Sequence, residues 1–475
     1  MNRRPRHLLR LFLLLVLATW TGLGWWHTHK PMPAGLDVAT PWVAAGEVAF
    51  LADSTYTAPD GSRETDRAIF DEILRLIRGA ERQVVLDMFL FNDFAGGAEG
   101  GHRELSAELT DALVRRKRER PDLRVTFITD PINTVYGSQV ATHLERLERA
   151  GVNVVVTDLD RLRASNPVWS GLWRLCCQWL DPGVGADWLP NPLDEGGTSP
   201  AAMMRLLNFK ANHRKTFVAD AGDRWVGLVT SANPHDASSR HDNVALRFAG
   251  RAAIDLLATE QAVAAMSGAP GVIDIPEGRA LDADGKTNGH IRILTESRIR
   301  DAAVELIDAA EAGDRLDMAM FYLAHRAVVD ALLAAQRRGV RLRVLLDANR
   351  DAFGREKGGI PNRPVGMELH RAGVPVRWCH TQGEQCHSKF LLHRPPEARA
   401  TLLLGSANFT RRNIDNYNLE TDVEWRAPAD HPVMQEVTVH FRERWGNGEG
   451  NRHSLPFKAF ADDSAVLFAE LEVDR

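Results

Sequence analysis

Two short stretches of this chain, His213-Arg214-Lys215 and His387-Ser388-Lys389, each place a histidine two residues ahead of a lysine. In a strand, residues i and i+2 point to one face, so each imidazole is expected beside an ammonium. One such pair is a weak signal. Here each is followed by Ser-x-Asn: Ser231 and Asn233 stand 18 and 20 residues beyond His213, and Ser406 and Asn408 stand 19 and 21 beyond His387. Two imidazoles converging on one electrophile supply a nucleophile and a proton donor. Lys215, Lys389, Asn233 and Asn408 supply N–H donors for charge growing on oxygen. Displacement at a phosphodiester needs this set, and it requires neither a metal nor an organic cofactor.

The elements that position these residues are themselves repeated. A stretch at helical period, AIFDEILRLIRGAERQ, leads into VVLDMFLF near residue 91, and DAAVELIDAAEAGDR leads into LDMAMFY near residue 322. LRVTFITD (123–130) answers LRVLLDAN (342–349), and LERAGVNVVV (147–156) answers LHRAGVPVRW (369–378). HRKTFVAD answers HSKFLLHR, and TSAN answers GSAN, in the same order. Such ordered self-similarity marks a duplication. Each half alternates amphipathic helices with short Val/Ile/Leu/Phe-rich strands, the pattern of helices flanking a sheet. Crossover helices are expected near 102–119, 139–150 and 324–338. The last strands, near 224–230, 242–249, 400–404 and 417–425, are close enough in sequence to include antiparallel pairs. The organisation expected is a first half over 45–261, a linker over 262–292 marked by Gly268, Pro270, Gly271, Pro276 and Gly278, a second half over 293–446, and a tail over 447–475.

With these residues in view, the chain resembles the phospholipase D superfamily over nearly all of residues 45–445, in particular cardiolipin synthase-like phosphatidyltransferases. That family carries H-x-K-x-x-x-x-D followed by G-S-x-N, twice. His213, Lys215 and Asp220 fill the first copy, with Thr230 in place of the leading Gly; in the second, His387 and Lys389 are present but Arg394 stands where Asp is expected. The resemblance implies an α/β fold of two pseudo-symmetric halves, each a mostly parallel mixed sheet flanked by helices, with the active site at their interface. It implies a phosphohistidine intermediate, with His213 attacking and His387 as acid–base. The family places an acid in an N-x-E element after the G-S-x-N turn. Asn418-Leu419-Glu420 matches, whereas Arg240-His241-Asp242 puts Asp in the Glu position and lacks the Asn. Glu420 is therefore expected to orient His387 of its own half, and Asp242 to orient His213. Asp130 and Asp347 end equivalent strands and are expected to cap the next helix, outside the site. His235, His241, His380 and His393 are expected to be bystanders.

The 475 residues, 44% apolar and 25% charged, suit two cores, and a net charge of −5 argues against nucleic acid as a partner. The basic run Arg115–Arg118 with Arg120 reads as a solvated helix face. At the N-terminus, Arg3, Arg4, Arg6 and Arg10 precede an uncharged stretch from Leu11 to Trp26. This segment, 1–30, reads as an anchor or a signal peptide, with the body exported in either case. An insert near 160–208 has no counterpart in the second half; it holds Trp169, Trp173, Trp179 and Trp188. Those tryptophans either fill a small satellite core or touch lipid, so a membrane surface joins the phospholipid substrate among expected partners. Of the four cysteines, the adjacent Cys176 and Cys177 cannot easily share one partner.

Overall fold

The computed structural model describes residues 4–94, 102–193, 196–276, 289–352, 355–356, 358–396 and 398–458. Arg3, Gly278 and the end of the expected tail lie outside them. Two large sheets carry the fold. The first has eight strands in the spatial order Arg63–Asp66, Ala49–Thr57, Asn243–Ala249, Arg224–Thr230, Lys215–Ala221, Gln83–Met88, Arg124–Thr129 and Asn153–Val156. The second has nine, running Val43–Ala44, His290–Thr295, Thr421–Pro428, Arg399–Gly405, Lys389–Arg394, Arg315–Met320, Arg341–Leu346, Val376–Cys379 and Ser454–Pro456. The chain is the expected α/β assembly of two mixed sheets flanked by helices.

Parallel pairing takes a smaller share than expected. Among the described residues of these sheets it is confined to three adjacent strands in each half, 83–88 with 124–129 and 153–156, and 315–320 with 341–346 and 376–379. The reason is connection length. Lys215–Ala221 turns straight into Arg224–Thr230 over two residues, with Gly222 at φ +63°, and so short a link permits only an antiparallel neighbour. The crossover helices Leu105–Glu119, Thr142–Arg149 and Arg326–Arg338 lie where the periodicity put them. The helix Ile69–Gly79 shows why: Ile69, Phe70, Ile73, Leu74, Leu76 and Ile77 form one buried stripe. Helix Arg251–Met266 runs into the expected linker, and Ser454–Pro456, in the expected tail, adds an edge strand to the second sheet.

Each H-x-K strand is central in its sheet, with the lysine as its first residue and the histidine just before it. Asp220, at the far end of the first, accepts from the backbone N–H groups of Glu81, Arg82 and Gln83 at 2.8–3.0 Å and ties the helix–strand turn down. Arg394, at the matching place, instead donates to the fully buried Asp317 at 2.6 Å, which also takes Arg343 at 2.7 Å. The second copy replaces a carboxylate–amide brace with a three-residue ion cluster. Arg394→Asp sets a second carboxylate against Asp317 with one arginine left, and should cost about 2–4 kcal/mol. Thermal unfolding reads that loss, and turnover per folded molecule should stay within about twofold, since neither ring depends on Arg394.

Candidate active site

The two halves meet where each histidine strand begins. Two isolated parallel bridges join them, Asn212 with Leu419 and Asp242 with Cys386. In the first, His213 N–H donates to Leu419 O at 2.9 Å and Leu419 N–H to Ala211 O at 3.0 Å; in the second, Asp242 N–H donates to Gln385 O at 2.9 Å. The residue before each histidine is also gripped by a strand-end carboxylate. Asp130 accepts from Asn212 N–H at 2.7 Å, and Asp347 from Cys386 N–H at 2.8 Å. Both aspartates also bond locally, to Ile132 N–H and Asn349 N–H. Asp130 thereby caps the short helix Pro131–Gly137 as the sequence suggested, whereas Asp347 is followed by the strand Asp351–Ala352 and caps no helix. Both do more than this. They fix the backbone from which the imidazoles project.

Around each ring the surroundings match across the pseudo-twofold. Lys215 Nζ donates to His213 O at 2.7 Å and Lys389 Nζ to His387 O at 2.7 Å. Phe89 lies 4.7 Å from the His213 ring and 5.1 Å from Lys215 Nζ; Phe321 lies 4.8 Å from the His387 ring and 5.2 Å from Lys389 Nζ. One aromatic ring therefore touches histidine and lysine together, so the pair shares a face. The sequence reading missed these phenylalanines, although both sit in the repeated LDM-containing stretches.

The third partner departs from expectation in a specific way. Glu420 does not orient His387. It receives His213 Nδ1 at 3.0 Å, across the interface, and also takes Ser406 Oγ and Asn413 Nδ2. Asp242 faces neither ring: it accepts from Thr55 N–H at 2.7 Å and pairs with the buried Arg444. The residue in Glu420's place is Asn243, whose Oδ1 meets His387 Nδ1 at 3.1 Å and Ser231 Oγ at 3.0 Å. The matched bridges show the cause. Asp242 answers Leu419, so counting Asp242 as the acid shifted the comparison by one residue. His241, expected to be a bystander, lies 6.0 Å from the His387 ring and its Nδ1 accepts from Gln385 N–H. His235 and His393 are held elsewhere, by Ser238 with Phe94 O and by Asp314 respectively.

Both Nδ1 atoms are thus engaged, which leaves Nε2 as the nitrogen for chemistry on each ring. Burial drives His213 and His387 well below the usual imidazole value, and each feels both lysines. Burial also lowers Lys215 to about 7 and Lys389 well below its usual range, while Glu420 is pushed up to about 8. Burial thus disfavours the charged form of all four basic groups, and an anionic ligand among them would favour it. A cavity of about 850 Å³ opens against it, with His213 and Asn408 in its wall beside Phe89, Tyr136, Leu206 and Phe209. His387, Lys215, Lys389 and Asn233 are not part of that lining. Asn233 Oδ1 accepts from Leu90 N–H at 3.3 Å, whereas Asn408 Oδ1 is buried without a hydrogen bond at the cavity edge.

Within the basic run Arg116 pairs with Glu119, Arg120 with Glu81, and Lys117 donates to Pro121 O and Leu123 O, while Arg115 and Arg118 are exposed on the helix face. The cysteines form two disulfides, Cys176–Cys177 and Cys379–Cys386; the second ends beside His387. The adjacent pair closes on itself, which the sequence reading did not foresee.

Residues 303–445 match the family described as "Cardiolipin synthase, PLD-like domain". Among solved structures, phosphatidylserine synthase of Haemophilus influenzae Rd KW20 is similar in fold, at TM-score 0.55 and 11% identity, covering 92% of this chain and 96% of that one. Nuc of Salmonella typhimurium, a phospholipase D family member, is 20% identical over 36% of this chain and 99% of its own, at TM-score 0.28. No curated protein matches the sequence.

The exchange of partners is open to test by two substitutions. Glu420→Gln should lower kcat by about 10²–10⁴-fold, as for other histidines that lose an orienting carboxylate. Asn243→Asp gives His387 a negative partner and should raise its pKa, moving the falling limb of the pH profile upward. Full activity in Glu420→Gln would contradict the pairing of that carboxylate with His213.

Proposed function

From a phospholipase D-like chain whose halves each orient the other's histidine, we propose a phosphodiesterase or phosphatidyltransferase that acts on phospholipids through a phosphohistidine. The observation that carries the reading is the crossed arrangement of His213 with Glu420 and His387 with Asn243, set at an apolar-walled cavity. The partners differ in kind, and that assigns roles. A carboxylate at Nδ1 offsets the positive charge a ring acquires when its Nε2 bonds to phosphorus, which suits His213 as nucleophile. The amide of Asn243 fixes the ring through Nδ1 without a charge that would hold its second proton, which suits His387, entering the cycle as imidazolium, as the group that gives and retakes the Nε2 proton.

In this scheme His213 Nε2 attacks phosphorus as the bond to the headgroup oxygen breaks, and His387 protonates that oxygen. His387 then takes a proton from water or an alcohol, whose oxygen displaces His213 and completes hydrolysis or transfer. Lys215 and Lys389 balance the phosphoryl oxygens, and Asn233 and Asn408 offer amide hydrogens to them. The apolar cavity suits a lipid, and a cardiolipin synthase-like transfer between two phosphatidylglycerols is the specific form favoured. The solved relative named a phosphatidylserine synthase is consistent with a lipid substrate.

The shifts set the sign of the pH dependence. His213 attacks only when neutral, and its lowered pKa puts that limb below 6.5. His387 gives its proton only as imidazolium, and its lowered pKa puts the falling limb below 6.5 as well; Lys215, cationic only below about 7, adds to the fall through phosphate affinity. For the free enzyme, kcat/KM should peak between these limbs; a profile flat from about pH 7 to 9 contradicts the assignment.

Labelled phosphatidylglycerol, with and without added glycerol, and single-stranded DNA in parallel test the function itself. Lipid turnover lost in both His213→Ala and His387→Ala is the expected outcome. Cleavage of DNA alone would replace a lipid enzyme by a nuclease, and turnover of neither would leave a binding protein.

A further inference from the structure

The N-terminal helix Arg4–His29 does not stand apart from the body. Its apolar stretch His7–His29 is 23 residues long and only 6% buried. At 1.5 Å per residue it reaches about 35 Å, enough for a hydrocarbon core of roughly 30 Å. The uncharged run in the sequence had suggested a shorter segment. The outer end of this helix packs on the insert helix Pro167–Cys176. Trp20 Nε1–H donates to Val168 O at 2.8 Å. The two backbones touch where glycines permit it. A Cβ on Gly24 would lie 2.6 Å from Pro167 O, and one on Gly171 would lie 2.6 Å from Trp20 O and 3.1 Å from Gly24 N. Beyond the crossing, Ala164 N–H donates to His27 O at 2.8 Å, Arg163 Nε to Lys30 O at 2.7 Å, and Lys30 Nζ to Asp160 O at 2.7 Å.

This contact sets the height of the insert. Gly24 stands five residues before His29, so the crossing lies about 8 Å inside the helix end. That depth is the boundary between headgroup and acyl chain, where tryptophan is favoured. The insert tryptophans divide accordingly. Trp173 is buried and Trp169 Nε1–H is satisfied by Met204 O, whereas Trp179 and Trp188 are 71% and 78% exposed, with Val184 exposed between them. The chain then returns through Leu206 and Phe209, which line the cavity beside His213.

We infer that the N-terminal helix is retained as a membrane span, and that the insert docked on it forms a second, interfacial contact with the outer leaflet, with Trp179, Val184 and Trp188 embedded and the cavity mouth level with lipid headgroups. The occupant of this exposed apolar face is the bilayer itself, because the face continues the surface of a helix long enough to cross one. A bilayer contact of this kind is independent of which phosphodiester is cleaved.

The test uses the full chain in vesicles of phosphatidylethanolamine and phosphatidylglycerol, with a nitroxide on Trp188→Cys. The label at 188 should sit in the ~5–10 Å boundary layer that interfacial surfaces occupy, by collision with oxygen against a nickel chelate. A label on Arg115→Cys, on an exposed helix of the first half, is the reference for water. Adding Gly171→Leu forces the helices apart and should return the 188 label to the aqueous reading. Trp20→Phe, which removes only the indole donor, should move it part of the way without threatening the fold. Intact mass of protein from native membranes should include the N-terminal helix. A 188 label as wet as the reference overturns the docking surface, an unmoved label in both helix variants overturns the clamp, and a mass lacking the helix overturns both.

Discussion

The whole arrangement depends on an exchange. Each histidine takes its Nδ1 partner from the opposite half, Glu420 for His213 and Asn243 for His387, through two short backbone bridges that cross the pseudo-twofold. Side chains alone would not hold that exchange, because both bridges sit among buried polar groups. They are sustained by carboxylates that bind backbone, Asp130 and Asp347, and by Arg214, which lies between the two motif residues of the first copy. Its guanidinium is fully buried, 2.7 Å from Glu296 of the second half and 3.5 Å from Glu260. Glu296 also accepts from Asp37 N–H at 2.7 Å. Removing any member of such a set strands a charge in low dielectric, so the halves are locked together by the same segment that holds the first histidine–lysine pair.

The second constraint is electrostatic. Two lysines and two imidazoles share a buried site, and the two acids that act on both lysines, Glu420 and Asp422, are themselves driven up to about 8 by burial. An assembly this rich in unsolvated donors gains most from a ligand that brings negative charge spread over several oxygens. The aromatic rings of Phe89 and Phe321 complete it, offering a π face to each lysine where a carboxylate would have cancelled the charge.

Much of this was legible in the residues. The duplication, the paired motifs, the helices between strands and the role of Asp130 as a cap all come from local pattern, because period and capping are local physics. What failed was whatever depends on contacts between distant parts of the chain. Nothing in Asn418-Leu419-Glu420 says which half its carboxylate serves. The one-residue displacement at Asp242 arose because both Asp242 and Asn243 are polar and only the bridge register separates them. The share of parallel pairing was overestimated for a related reason: apolar runs look alike whether their neighbours run parallel or antiparallel, and the two-residue turn after Ala221 decides. The tryptophans of the insert were read as either core or interface, and the structure divides them.

The exchanged partners also bear on how the two copies came to differ. In an isologous pair of identical subunits, whatever one ring receives from its neighbour the other receives too. A single gene folded as a dimer would therefore be confined to two glutamates or two asparagines. Joining the copies in one polypeptide lifts that symmetry, so that a mutation behind one imidazole no longer repeats behind the other. The Glu420–Asn243 difference is what such freedom permits: two rings of common descent, one backed by a carboxylate and the other by an amide.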